Sequence, residues 1–207
     1  MIGIFGGTFD PVHYGHLRSA LELKELFELD HVRLIPCARP AHREQPAGTA
    51  TQRLEMLQLA TQNQTDFIVD AQELQRAGKS YTFDTLTALR HDYPNTPLLL
   101  FIGSDAFNEL TTWFRWQELF NLAHVVVITR PNAELNNPLN RFFAAKLTDE
   151  KALLKEHCSG HLFFQEITQL AISATAIRGM ITAQQNPRFL LPDAVIHYII
   201  QHRLYQR

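Results

Sequence analysis

Two histidines three residues apart, His13 and His16, follow a glycine-rich turn, Gly6-Gly7-Thr8, near the start of the chain. The short apolar run Ile2 to Phe5 leads into that turn, as a buried strand runs into a tight loop. Such a strand-to-helix turn can admit a phosphate beside the free N–H groups of the following helix. If a phosphate is bound here, it is held by other means than the common fingerprints, because neither G-x-x-x-x-G-K-[ST] nor G-x-G-x-x-G is present. At the start of a helix the spacing sets both imidazoles on roughly one face. A triphosphate there would meet imidazole donors and a favourable helix dipole, and would favour the charged imidazolium. Zinc is a weaker alternative, since no third ligand stands nearby at a recognised spacing. The bland reading is that the two histidines cap a turn.

Further residues have the chemistry of phosphate or nucleoside contacts. Ser173 and Thr175 precede an apolar run, so either could cap a helix whose first turn holds Arg178. A helix N-terminus with an arginine is a plausible clamp for β- and γ-phosphates, and an ordinary capped surface helix is its alternative. Arg43 lies in a proline-bounded polar loop, where a solvated arginine is the default. Asp105 follows a buried strand that stops at Gly103; it could accept two ribose hydroxyls or cap the helix Ala106 to Leu110. Ser80-Tyr81-Thr82 reads as a helix start whose N–H groups could hold a carboxylate. Trp113 and Trp116 share an aromatic cluster that could equally be core packing.

The elements that must position these residues alternate along the chain. Strands are expected at residues 2–5, 32–36, 67–69, 98–102 and 124–129, and helices over 17–27, 54–60, 81–90, 116–120 and 192–205. Apolar, non-alternating strands separated by helices imply a parallel sheet covered on both faces. The expected fold is α/β: a Rossmann-like, doubly wound, mostly parallel sheet with a C-terminal helical segment. Residues 132–140, with Pro138 among them, read as a polar loop. No repeat or linker breaks the chain, so 1–207 is expected to be a single domain.

Composition sets bounds. The 207 residues are 45% hydrophobic and 19% charged, ordinary for a globular protein. A formal net charge of −2 gives no basic field for broad nucleic-acid binding. Cys37 and Cys158 match no metal spacing and are expected to be free thiols. No basic lead-in or long apolar stretch marks a signal peptide or membrane span, so a cytoplasmic location is expected. Nothing in the pattern sets an oligomeric state.

The segment Gly6-Gly7-Thr8-Phe9-Asp10-Pro11-Val12-His13-Tyr14-Gly15-His16 resembles the signature of the adenylyl- and cytidylyltransferase superfamily, whose (H/T)-x-G-H element reads here His13-Tyr14-Gly15-His16. Four more segments resemble those of the bacterial nicotinate-nucleotide adenylyltransferase family. They are Pro40-Ala41-His42-Arg43, with Ala41 in place of a second proline; Ser80-Tyr81-Thr82-Phe83-Asp84-Thr85-Leu86; Gly103-Ser104-Asp105 followed by Trp113; and Ile172-Ser173-Ala174-Thr175-Ala176-Ile177-Arg178.

The resemblance implies adenylyl transfer from ATP to nicotinate mononucleotide, giving deamido-NAD and pyrophosphate, with Mg²⁺ accompanying ATP. It implies that His16, His13 and Arg178 are catalytic. ATP would be held by Gly6, Gly7, Thr8, His13, His16, Arg43, Gly103, Asp105, Ser173, Thr175 and Arg178. The mononucleotide would meet Thr8, Thr82, Phe83, Trp113 and Phe114. No protein metal site is implied, since magnesium keeps mostly phosphate oxygens and water. Superfamily relatives that serve other phosphorylated acceptors share the first motif, so the acceptor rests on the later segments.

Overall fold

A computed structural model describes residues 1–40, 45–129, 140–168 and 170–206. Strand β1 (Ile2–Gly7) leads to helix α1 (Tyr14–Leu26) and β2 (His31–Pro36), then α2 (Ala50–Thr61) and β3 (Phe67–Val69). Helices α3 (Gln72–Gln75) and α4 (Thr82–Asp92) precede β4 (Leu98–Gly103). Helices α5 (Ser104–Asn108) and α6 (Leu119–Leu122) lead to β5 (His124–Thr129), and α7 (Arg141–Lys146) and α8 (Lys151–Glu156) to β6 (Leu162–Glu166). Helices α9 (Ala174–Thr182) and α10 (Asp193–Gln201) end the fold.

The six strands form one parallel sheet in the order β3-β2-β1-β4-β5-β6. The order reverses between β1 and β4, as in a doubly wound sheet, with Ile2 opposite Leu98 and Phe5 opposite Phe101. The expected fold class holds. Strand β6 was not expected: only its first residues are buried, so its polar end hides the apolar run that marks β4 and β5. The short α3, α5, α7 and α8 are too brief to show a helical period. The expected helix over 116–120 is a 3₁₀ turn at Trp116–Glu118 followed by α6. Pro138 and nearly all of the expected 132–140 loop lie outside the described residues.

The chain divides into two compact units. The first comprises Met1–Phe5, Glu22–Arg33 and Tyr81–Thr168. Its core is the centre of the sheet, where Leu98, Leu99, Val125, Val126 and Val127 have no exposed surface. Phe27 packs on Phe101 and Phe163, while Phe107 packs on Phe143 and Phe164. Each buried aromatic contributes on the order of 2–3 kcal/mol through removal of apolar surface from water.

The second unit comprises Gly6–Leu21, Leu34–Ser80 and Gln169–Arg207. Here α10 lies on α2, burying Met56, Leu57, Val195 and Ile199, and the Tyr198 hydroxyl donates to Glu55. A capping box starts α2: the Thr49 side chain accepts from Gln52 N–H, and Gln52 Oε1 accepts from Thr49 N–H. No helix among the described residues is long and apolar enough to cross a membrane.

Candidate active site

Helix α1 opens immediately after His13, whose carbonyl accepts the N–H groups of His16 and Leu17. The predicted common face is present. The two imidazoles stack with centroids 3.7 Å apart and planes 23° from parallel. Phe9 meets the His16 ring edge-on, with centroids 5.1 Å apart. His16 Nδ1 accepts the His13 backbone N–H at 3.3 Å, which leaves the ring proton on Nε2. His13 is 5% exposed, and its buried Nδ1 has no hydrogen-bond partner among the described residues. Gly15 makes the stack possible, since a Cβ there would stand 2.9 Å from His13 Nδ1.

Both imidazoles titrate well below their ordinary value of 6.5. Burial pushes His13 down to about 4; burial and the neighbouring His13 push His16 down to about 3. The pair by itself is therefore neutral near pH 7; the charged imidazolium of the sequence reading belongs to a bound triphosphate. Taking a charge out of water costs more here than any partner on hand returns.

The loop before the histidines is held from behind. Arg53, on α2, is 1% exposed and donates to three carbonyls: Thr8 at 2.7 Å, Gly48 at 3.2 Å and Ala38 at 3.2 Å. Asp10 is 4% exposed and accepts from Ala47 and Gly48 N–H. Arg178 Nη1 donates to the Asp10 carbonyl at 2.7 Å. Thus the second unit brings together Gly6, Gly7, Thr8, His13, His16 and Arg178. Ser173 and Thr175 belong to the same unit. Ser173 is the cap of α9, accepting from Ala176 N–H, so Arg178 stands in the second turn rather than the first. Thr175 Oγ1 accepts from Arg178 Nη2 at 3.4 Å. Arg43 lies outside the described residues.

The first unit holds the other candidates. Helix α4 begins at Thr82 with no side-chain cap. Phe83, Phe114 and Tyr81 form an aromatic group: Phe114 lies 4.7 Å from Tyr81 and 6.1 Å from Phe83, and the Arg115 guanidinium lies 3.8 Å over Phe83. Trp116 packs against Phe142 and Phe143, so core packing belongs to that tryptophan, while Trp113 is half-buried just after the 3₁₀ turn Leu110–Thr112. Gly103 caps α5, which leaves Asp105 exposed in its first turn rather than serving as the cap.

Sequence reasoning passed over Arg53, and over Asp10 and Tyr205 as participants. Their partners are largely backbone groups distant in sequence, which no residue pattern announces.

Residues 4–180 match the profile described as cytidylyltransferase-like. The chain is 43% identical over 210 residues to a probable nicotinate-nucleotide adenylyltransferase of Methylococcus capsulatus, covering all of both chains. It is 47% identical over 208 residues to one from Pseudomonas aeruginosa, covering 99% of this chain and 97% of that one. The chain belongs to the nicotinate-nucleotide adenylyltransferase family. Among solved structures it resembles the nicotinic acid mononucleotide adenylyltransferase of Plasmodium falciparum complexed with NaAD. The TM-score is 0.72 at 19% identity, over 99% of this chain and 96% of that one, a likeness of fold. Within this family the (H/T)-x-G-H element of the chain is the stacked pair described above.

Proposed function

We propose that this protein transfers the adenylyl group of ATP to nicotinate mononucleotide, giving deamido-NAD and pyrophosphate, a step of NAD biosynthesis. The observation that carries the chemistry is the stacked His13–His16 pair at the start of α1, beside a backbone loop tied to Arg178. Family membership supports the choice of acceptor.

A phosphate oxygen of the mononucleotide attacks the α-phosphorus of ATP. The new P–O bond forms as the α–β bond breaks, and the electron pair leaves on pyrophosphate. The nucleophile is already an anion, so the protein supplies no covalent nucleophile and no base. Catalysis reduces to alignment and to stabilising charge that spreads over the α-phosphate and leaving group. His16 does this as a neutral donor through Nε2–H. His13 and Arg178 hold the triphosphate, with Ser173, Thr175 and Arg43 around it, and the backbone of Gly6, Gly7 and Thr8 faces the reacting phosphates. Gly103 and Asp105 take the adenosine ribose. Thr82 and Phe83 offer backbone donors to the nicotinate carboxylate, and Trp113 and Phe114 offer ring faces to the pyridine.

Mg²⁺ accompanies ATP in this reading. No group of three or more His, Cys, Asp or Glu side chains among the described residues could hold it. Magnesium dehydrates reluctantly and takes phosphate oxygens and water, so no step is assigned to a protein-held ion. Residues 1–207 act as one catalytic domain, with no nucleic-acid or membrane partner, in a cytoplasmic setting.

The test compares pyrophosphate release with nicotinate and nicotinamide mononucleotides side by side. Faster turnover of the acid is expected, because donors matched to a carboxylate cost about 1–3 kcal/mol when left unpaired. No release with nicotinate mononucleotide, alongside release with another phosphorylated acceptor, overturns the assignment.

A further inference from the structure

The Asp10 carboxylate is a junction. Its Oδ2 accepts from Ala47 N–H at 2.8 Å, and its Oδ1 accepts from Gly48 N–H at 3.0 Å and from the Tyr205 hydroxyl at 2.7 Å. Arg178 meets the same residue twice, donating to its carbonyl and lying 3.9 Å from Oδ2. Among the described residues, the only other hydrogen bond of the Arg178 guanidinium is the long one to Thr175. Asp10 therefore sets where the Arg178 guanidinium sits.

Tyr205 lies beyond α10, in a turn with a backbone φ of 62°. Its carbonyl accepts the Thr182 hydroxyl at 2.9 Å, at the end of the helix that carries Arg178. One residue thus touches both the carboxylate and the helix. Burial and the Asp10 hydrogen bond push the Tyr205 phenol far above its ordinary value, so it remains a donor throughout the physiological range. A close fit surrounds the junction, because a Cβ at Gly48 would stand 2.9 Å from Asp10 Oδ1.

We infer that Tyr205 is a positioning residue for triphosphate binding: its hydroxyl anchors the Asp10 side chain, and Asp10 holds the Arg178 guanidinium through its backbone carbonyl at 2.7 Å and its carboxylate charge at 3.9 Å. The inference rests on the reading above, in which Arg178 holds the triphosphate. A charged guanidinium held at one carbonyl and one weak hydroxyl would otherwise sample several rotamers, and ordering it on binding would cost affinity.

The experiment uses the full chain carrying Tyr205→Phe, which keeps the ring and removes the donor. The KM for ATP is expected to rise about tenfold, the scale of one weakened charge-assisted hydrogen bond, with the KM for nicotinate mononucleotide unchanged. In an Asp10→Ala background, which has no side-chain acceptor, the same substitution adds no further rise, because the link it cuts is already gone. Tyr198→Phe is the control. It removes the other hydroxyl bond near the C-terminal helix, to Glu55, and is expected to lower Tm while leaving the KM for ATP unchanged.

An unchanged KM for ATP in Tyr205→Phe overturns the inference. So does a parallel rise in both KM values, or a further rise in the Asp10→Ala background. If the unaltered chain releases no pyrophosphate with nicotinate mononucleotide, the proposed function fails separately. The Kd for ATP by calorimetry then decides: a tenfold weakening in Tyr205→Phe upholds the positioning role, and an equal Kd removes it.

Discussion

The imidazole of His13 lies face to face with that of His16, and the backbone N–H of His13 donates to Nδ1 of the same partner. One residue thereby sets both the plane and the tautomer of the other. A donor fixed before substrate arrives costs no reorganisation when charge develops on a phosphate.

Replacing His16 with Ala removes that donor. Turnover is expected to fall on the order of 10²–10³-fold with the fold retained. Steady-state pyrophosphate release, alongside an unchanged far-ultraviolet circular dichroism spectrum, checks this. Near-normal turnover refutes the role.

Gly15→Ala separates helix propensity from site geometry. Alanine stabilises a helix by about 1 kcal/mol over glycine. Its Cβ would, however, meet the buried His13 ring at 2.9–3.0 Å, with the Ile172 carbonyl behind at 3.5 Å. The two effects offset in stability but not in geometry. Tm is expected to move by only a few degrees, while kcat falls at least about tenfold because the stack must open. A variant with full kcat shows that the stack is dispensable.

Arg53 binds three carbonyls of its own unit from a buried position. Arg53→Met leaves all three without that donor and is expected to destabilise the protein by roughly 3 kcal/mol or more. Arg53→Lys should not restore it, since a compact ammonium cannot span acceptors that a planar fork reaches. Urea unfolding of both variants measures this; a loss below about 1 kcal/mol in Arg53→Met contradicts the account.

Stability should depend on pH through the imidazole pair. The unfolded chain takes up protons near 6.5, whereas the folded protein does so only near 4 at His13 and near 3 at His16. Between those limits the unfolded state binds more protons, so stability falls as pH drops through 6.5 toward 4. His124, also buried and pushed down to about 4, adds to the same slope. Thermal unfolding across this window should show a shallower fall in His13→Asn. An identical slope would mean that the imidazole at position 13 is not held neutral.

Much of the site was legible in the sequence because it is local. His13 and His16 lie within one turn, so residue type and spacing suffice to place them on one face. The runs 98–102 and 124–129 announce buried parallel strands for a similar reason, since the first is wholly apolar and the second is apolar between His124 and Thr129. Ser173 was recognisable as a cap, but the turn occupied by Arg178 depended on where α9 actually begins. Strand β6, half-exposed and polar at its end, carried too weak a pattern.

What the sequence determined by itself is the chemical inventory: a glycine-rich turn, two imidazoles in register, an arginine after a capped helix start, and an alternating α/β order. What only the tertiary structure decided is the state of those groups. The neutrality of the histidines comes from burial. The anchoring of Arg178 through Asp10 to Tyr205 comes from a side chain 195 positions further along the chain. Solvation and long-range hydrogen bonding depend on distance in space, and a linear pattern records only distance along the chain.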